Sequence, residues 1–114
     1  MTINPSQISD YITIKQNDTS RILYDTLYVN SAVLNLSGSS VKLNLYDLNT
    51  QINAQYTASV VTPASGSVSI QFPATEVATT GSFLAEWQVV FGDNTQLTVP
   101  TDGWILIRVI DDLD

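Results

Sequence analysis

The sequence predicts an antiparallel β-sandwich built as one domain, on three observations. Val, Ile and Thr supply 34 of the 114 residues, and branched side chains of this kind suit a pleated, half-buried surface. Apolar positions recur mainly with a period of two, the repeat of a strand that buries one face. Turn-forming clusters break these runs at intervals of about eight to twelve residues, which gives seven to nine short strands. A chain of 114 residues buries roughly two-thirds of its unfolded surface on folding, enough for one core without covalent staples.

The elements follow in order. Residues 1–10, with Pro5 and few apolar groups, read as an N-terminal arm. The sandwich is expected over 11–110 and a short acidic tail over 111–114. Tyr11–Lys15 and Arg21–Val29 are β-rich and flank the turn Gln16-Asn17-Asp18. Val41–Tyr46 alternates, with Val41, Leu43 and Leu45 on one face and Lys42, Asn44 and Tyr46 on the other. Gln51–Val61 continues as one or two strands after the turn Asp47–Thr50. Val68, Ile70 and Phe72 alternate with Ser67, Ser69 and Gln71. Ala74–Thr80 has room for about one helical turn, with Gly81 as its C-terminal cap. Ser82–Phe91 gives the clearest pattern: Phe83, Ala85, Trp87, Val89 and Phe91 share one face. Gly92-Asp93-Asn94-Thr95 forms a hairpin loop to Gln96–Val99, with residues that tolerate positive φ. Trp104–Ile110, entered through Pro100–Gly103, is apolar on both faces and so is either doubly buried or a contact surface.

Composition excludes much chemistry. The 114 residues hold no cysteine and no histidine. Disulfides, thiolate or imidazole metal centres, a cysteine nucleophile and a Ser-His-Asp triad are all ruled out within them. Eleven acidic against four basic residues give a net charge of −7. Phosphate backbones and anionic membranes attract Lys and Arg, and here only Lys15, Arg21, Lys42 and Arg108 are present, so neither nucleic acid nor membrane is expected as a partner. No run approaches the ~18 apolar residues of a membrane-spanning helix, and no signal peptide is visible. Ser, Thr, Asn and Gln make up 40 residues, which implies a surface that docks by shape and neutral hydrogen bonds.

Individual residues sort by face. Trp87, Phe83, Phe91 and Val89 are core candidates, and the Trp87 indole N–H will need an acceptor once buried. Glu86 points the opposite way, as a solvated or interface carboxylate. With Glu76 it makes up the chain's two glutamates, and nothing in the sequence draws them together as an acid/base pair. Tyr46, Trp104, Lys42 and Asn44 are candidates for partner contact, since aromatic rings with a polar handle favour interface centres. Asp102, Asp111, Asp112 and Asp114 could suggest calcium, but no recognised loop spacing is present and a solvated acidic tail is the simpler reading. No cofactor is expected. The sequons Asn17-Asp18-Thr19 and Asn35-Leu36-Ser37 read as chance matches.

The order of these pieces carries a resemblance. Asn17-Asp18-Thr19, Leu34-Asn-Leu-Ser-Gly-Ser-Ser-Val-Lys-Leu43 with a turn at Asp47, Ser65-Gly66-Ser67-Val68, Ala78-Thr79-Thr80-Gly81-Ser82-Phe83-Leu84-Ala85-Glu86-Trp87 and Phe91-Gly92-Asp93 occur in sequence. Together they resemble the immunoglobulin-like N-terminal domain of tailed-phage upper baseplate proteins and its stand-alone relatives in phage structural proteins. The resemblance spans about Tyr11–Val109. It implies an immunoglobulin-like sandwich and a non-enzymatic structural role in a phage virion, at the baseplate or tail, or as head decoration or neck component. The partners would be capsid, neck or baseplate subunits and further copies of the chain as a homo-oligomer. The location would be the virion, after synthesis in the host cytoplasm. The alternative is a host-surface carbohydrate-binding or adhesion module.

Overall fold

The computed structural model describes residues 7–111. The chain forms β1 (Ile8–Lys15), β2 (Ile22–Thr26), β3 (Tyr28–Val29), β4 (Ala32–Val33), β5 (Ser40–Asp47), β6 (Asn53–Thr57), β7 (Ser59–Thr62) and β8 (Ser67–Gln71). It continues through a short helix α1 (Ala74–Val77) into β9 (Gly81–Val90), β10 (Gln96–Val99) and β11 (Trp104–Ile110). This is the all-β sandwich that the period-two pattern requires. Nine strands of four or more residues carry it, and β3 and β4 add a two-residue hairpin.

One layer is a six-stranded sheet in the order β1-β11-β9-β5-β6, with β10 also paired to β9. The second is the three-stranded sheet β2-β8-β7. Pairing is antiparallel except between β1 and β11, which run parallel with Tyr11 opposite Leu106 and Ile14 opposite Val109. The core lies between the layers. Val41, Leu43 and Leu45 from β5 meet Ala85, Trp87 and Val89 from β9 and Ile105, Ile107 and Val109 from β11. Leu23, Val68 and Ile70 close it from the smaller sheet.

Several expectations shift at the boundaries. Ile8–Asp10, assigned by sequence to the arm, open β1 because β11 supplies them with a partner strand; residues 1–6 of that arm lie outside the described residues. Of the tail, Asp111 is exposed, and 112–114 lie outside the described residues. Arg21–Val29 is not one strand. Leu27 turns inward, buried to 1% exposure, and exchanges ladder bonds for N–H donation to the Gly66 carbonyl and acceptance from the Leu34 N–H. Gln51–Val61 divides at Ala58, whose N–H donates to the Val41 carbonyl at 2.9 Å; there the chain leaves the six-stranded sheet for the smaller one. Gly81 is not a helix cap. The helix ends at Val77, pinned in the core at 1% exposure, its C-cap is Ala78, and Gly81 is the first residue of β9.

Trp87 and Val89 are fully buried and Phe83 is nearly so. Phe91 is only partly buried against the core, because β9 has ended and the chain is entering the hairpin. In that loop Asn94 adopts φ 69°. Asp93 Oδ1 accepts the Thr95 N–H and hydroxyl, which holds its carboxyl below the usual range. Asn17 takes φ 65° in the first turn, and Asn35 Oδ1 accepts the Ser37 N–H, so both sequon asparagines do local turn work.

Candidate functional site: the solvent face of the larger sheet

Alternation fixes which side chains reach the outside of the six-stranded sheet. With Leu43, Leu45, Ala85 and Ile105 turned to the core, their neighbours Asn44, Tyr46, Leu84, Glu86, Trp104 and Leu106 point out. Register then lines them up in rows. Tyr11 lies opposite Leu106, Leu106 opposite Leu84, Leu84 opposite Tyr46, and Tyr46 opposite Asn53. At about 4.8 Å per strand this apolar row crosses about 19 Å of sheet. Leu84 is 3% exposed yet stands apart from the core cluster, so its cover comes from the outer face.

The next row is polar. Glu86 lies opposite Asn44 and Asn44 opposite Gln55. Gln55 Nε2 donates to Asn44 Oδ1 at 2.8 Å and to Gln88 Oε1 at 3.0 Å, and Gln88 Nε2 donates to Gln96 Oε1 at 2.9 Å. This amide ladder ties four strands together on the solvent side.

Where the two rows meet, Asn44, Tyr46, Asn53, Leu84, Glu86 and Trp104 line an open cavity of about 340 Å³. A second hollow continues from it past Asn53 and Glu86 toward Gln55. The side chains of Glu86, Tyr46, Asn53 and Trp104 make no hydrogen bond or ion pair with another described residue. Of the four contact candidates read from sequence, Tyr46, Trp104 and Asn44 come together here. Tyr46 is half-buried rather than exposed, because Leu84 and Asn53 flank it in the row. Lys42 shares the face but does not line the cavity. Asn53 was not singled out by sequence, since its place depends on the β5–β6 register.

Other carboxylates lie elsewhere. Glu76 accepts the Tyr56 hydroxyl and lines a separate cavity with Asp47 and Thr80, so the two glutamates do not converge. The Tyr56 hydroxyl is pushed up by burial and by this neighbour. At one end of the sandwich Asp10, Asp25 and Asp102 line a further cavity of about 350 Å³ with Tyr28 and Trp87. Asp25 Oδ2 accepts the Trp87 indole N–H at 2.9 Å, which supplies the acceptor that the buried ring needs. Burial pushes the Asp25 carboxyl up, opposed by the bonds from Trp87 and the Thr26 N–H and assisted by the Asp10 charge. Asp102 and Asp111 flank opposite ends of β11, separated by about 20 Å of strand. Among the described residues no group of three or more acidic side chains is placed to hold a metal ion.

The fold and the cavity define an all-β sandwich domain with an open, mixed aromatic and polar site on its larger sheet. No protein-family model and no curated protein sequence matches the chain. The crystal structure of CopC from Methylosinus trichosporium OB3b is similar to it with a TM-score of 0.52, over 93% of this chain and 89% of that chain, at 11% sequence identity. The likeness is one of fold. It corrects the expected virion role, because this structural neighbour is CopC and not a phage structural protein. The physical reason is that the segments carrying the phage resemblance are strand–turn–strand signals. Gly38 and Gly66 supply positive φ at two of those turns, and Trp87 fills the core. Such residues specify a sandwich, not what the sandwich is used for.

Proposed function

We propose that this chain is a non-catalytic recognition module that takes its ligand on the solvent face of the six-stranded sheet, between Tyr46 and Trp104. One observation carries the reading: two aromatic rings, the Glu86 carboxylate and the Asn53 amide converge on one cavity, with their side-chain polar atoms unused by the other described residues. Recognition sites combine apolar walls with a few convergent polar groups in this way. The site rests on four paired strands, β6, β5, β9 and β11, so its side chains are pre-positioned and little ordering accompanies binding. The paired glutamates of a glycosidase-type site are not gathered here, because the chain's other glutamate is engaged with Tyr56 in a different cavity.

The test is chemical-shift mapping of the ¹⁵N-labelled chain against a fragment set of amino-acid amides, monosaccharides and dicarboxylic acids. Perturbations are expected to centre on Asn44, Tyr46, Asn53, Glu86 and Trp104, and Trp104→Ala should abolish them while the spectrum stays dispersed. Perturbations centred on the Asp10–Asp25–Asp102 cavity, or none at all, would overturn the reading.

A further inference from the structure

We infer that the ligand of this site is a guanidinium group, presented as an exposed arginine side chain on a partner protein. The inference rests on the recognition reading above and assigns its chemistry. Glu86 sits at the centre of the site on β9. Trp104 lies on the neighbouring strand β11 to one side, and Asn44 and Tyr46 lie on β5 to the other. Glu86 lies directly opposite Asn44 and diagonally from Tyr46, while Trp104 is one residue beyond the Ile105–Ala85 pair. Opposed side chains stand about 5 Å apart and diagonal ones about 7–8 Å, within reach of long aromatic side chains. A group held by the carboxylate therefore has both ring systems within reach.

Three features select a cation. First, Glu86 has no ion pair among the described residues, so its charge is not neutralised from within. The cations on the same face stand off: Lys42 is two residues from Asn44 along β5 and Arg108 four residues from Trp104 along β11, about 7 and 13 Å respectively. Lys15 lies beside Ile110 at the far end of β1, and none of them lines the cavity. Second, the faces of tryptophan and tyrosine attract a cation through the ring quadrupole, so rings and carboxylate act with the same sign. Third, the chain's net charge of −7 draws cations and repels anions at long range. Among cations the planar guanidinium fits best. It can stack on an aromatic face while its paired N–H groups engage the carboxylate, and its remaining donors can reach the side-chain carbonyl of Asn53. An ammonium is a compact, more strongly hydrated point charge that can neither stack flat on a ring nor engage the carboxylate through a paired, planar fork.

The test compares three probes by NMR titration of the intact chain: acetyl-Gly-Arg-Gly-amide, the same peptide with citrulline in place of arginine, and maltotriose. Citrulline keeps the shape and removes the charge. The arginine peptide is expected to shift Asn44, Glu86 and Trp104 with a Kd in the millimolar range, and citrulline to bind at least about fivefold more weakly, the scale of a partly exposed ion pair combined with ring stacking. Glu86→Gln, nearly isosteric, should bring arginine binding down to the citrulline level and leave citrulline binding unchanged. Equal binding of arginine and citrulline, indifference to Glu86→Gln, or binding of maltotriose alone would overturn the guanidinium assignment while the recognition reading stands. Silence at the site from all three probes and from the fragment set would overturn both.

Discussion

Replacing Trp87 with phenylalanine tests how the core and the end cavity are joined. Trp87 is fully buried, and its indole N–H donates to Asp25 Oδ2 at 2.9 Å. Phenylalanine keeps an aromatic ring in the slot but is smaller by about 40 Å³, and at about 24 cal/mol per Å³ the resulting cavity costs about 1 kcal/mol. It also strands the carboxylate. A lost partner to a buried charged group costs about 1–3 kcal/mol, and the lower half applies because Asp25 is half-buried and water can reach it. The sum is about 2–3 kcal/mol, or about 8–12 °C in Tm for a domain of this size. Urea unfolding followed by far-UV circular dichroism would read the change as a fall in midpoint at constant slope. The deficit should shrink between pH 7 and pH 4. The indole bond holds the Asp25 carboxyl down against its burial, so without it the folded protein takes up a proton more readily, and a protonated group is cheaper to strand. A loss under about 1 kcal/mol at pH 7, or an equal loss at both pH values, would refute this account.

Three further outcomes follow from the same structure. Because the folded Asp25 carboxyl lies above its unfolded value of 3.8, its contribution to stability is full below that value and is lost as pH rises through the folded one. Asp25→Asn should therefore flatten the rise in urea midpoint between pH 7 and pH 4, and an unchanged slope would count against it. Gly103 has φ +87° and a Cβ there would collide with the Gln7 carbonyl oxygen, whereas Gly38 has φ +74° and open space around it. Gly103→Ala should cost at least about 2 kcal/mol and speed hydrogen exchange at Ile8–Asp10, while Gly38→Ala should cost only about 1 kcal/mol. Leu43→Ala in the core should cost about 3 kcal/mol, and Leu84→Ala on the solvent face about half of that because water can enter beside it; equal thermal shifts would show that Leu84 belongs to the core after all.

The strand content was legible because one-sided burial writes itself into local sequence. Ser82–Phe91 alternates so cleanly that the inward set Phe83, Ala85, Trp87 and Val89 could be read directly, and the hairpin loop was visible in Gly92–Thr95. What escaped depended on distant partners. Ile8–Asp10 look like an arm until β11 lies beside them, and the break at Leu27 exists because Gly66 and Leu34 offer backbone bonds. The sequence required an acceptor for the Trp87 indole but could not name Asp25, 62 residues away. The site was half-legible for the same reason. Tyr46, Asn44 and Trp104 stood out as aromatic or polar residues on outward positions. Bringing them to one cavity with Asn53 and Glu86 took the register of four strands. The resemblance to phage domains came from the turn and core positions, which record how a sandwich is folded rather than what it binds.

The parallel pairing of β1 with β11 has a mechanical consequence. Ile8 lies beside Trp104 and Lys15 beside Ile110, so the first strand is entered at one end of the pair and the last strand is left at the other. Tension applied through the two ends of the domain pulls these strands past each other along their length. Every hydrogen bond of the pair is then loaded at once, instead of opening one after another like a zipper. Forced unfolding is governed by the height of the barrier and not by the equilibrium stability. A domain wired in this way resists pulling more than its modest size would suggest.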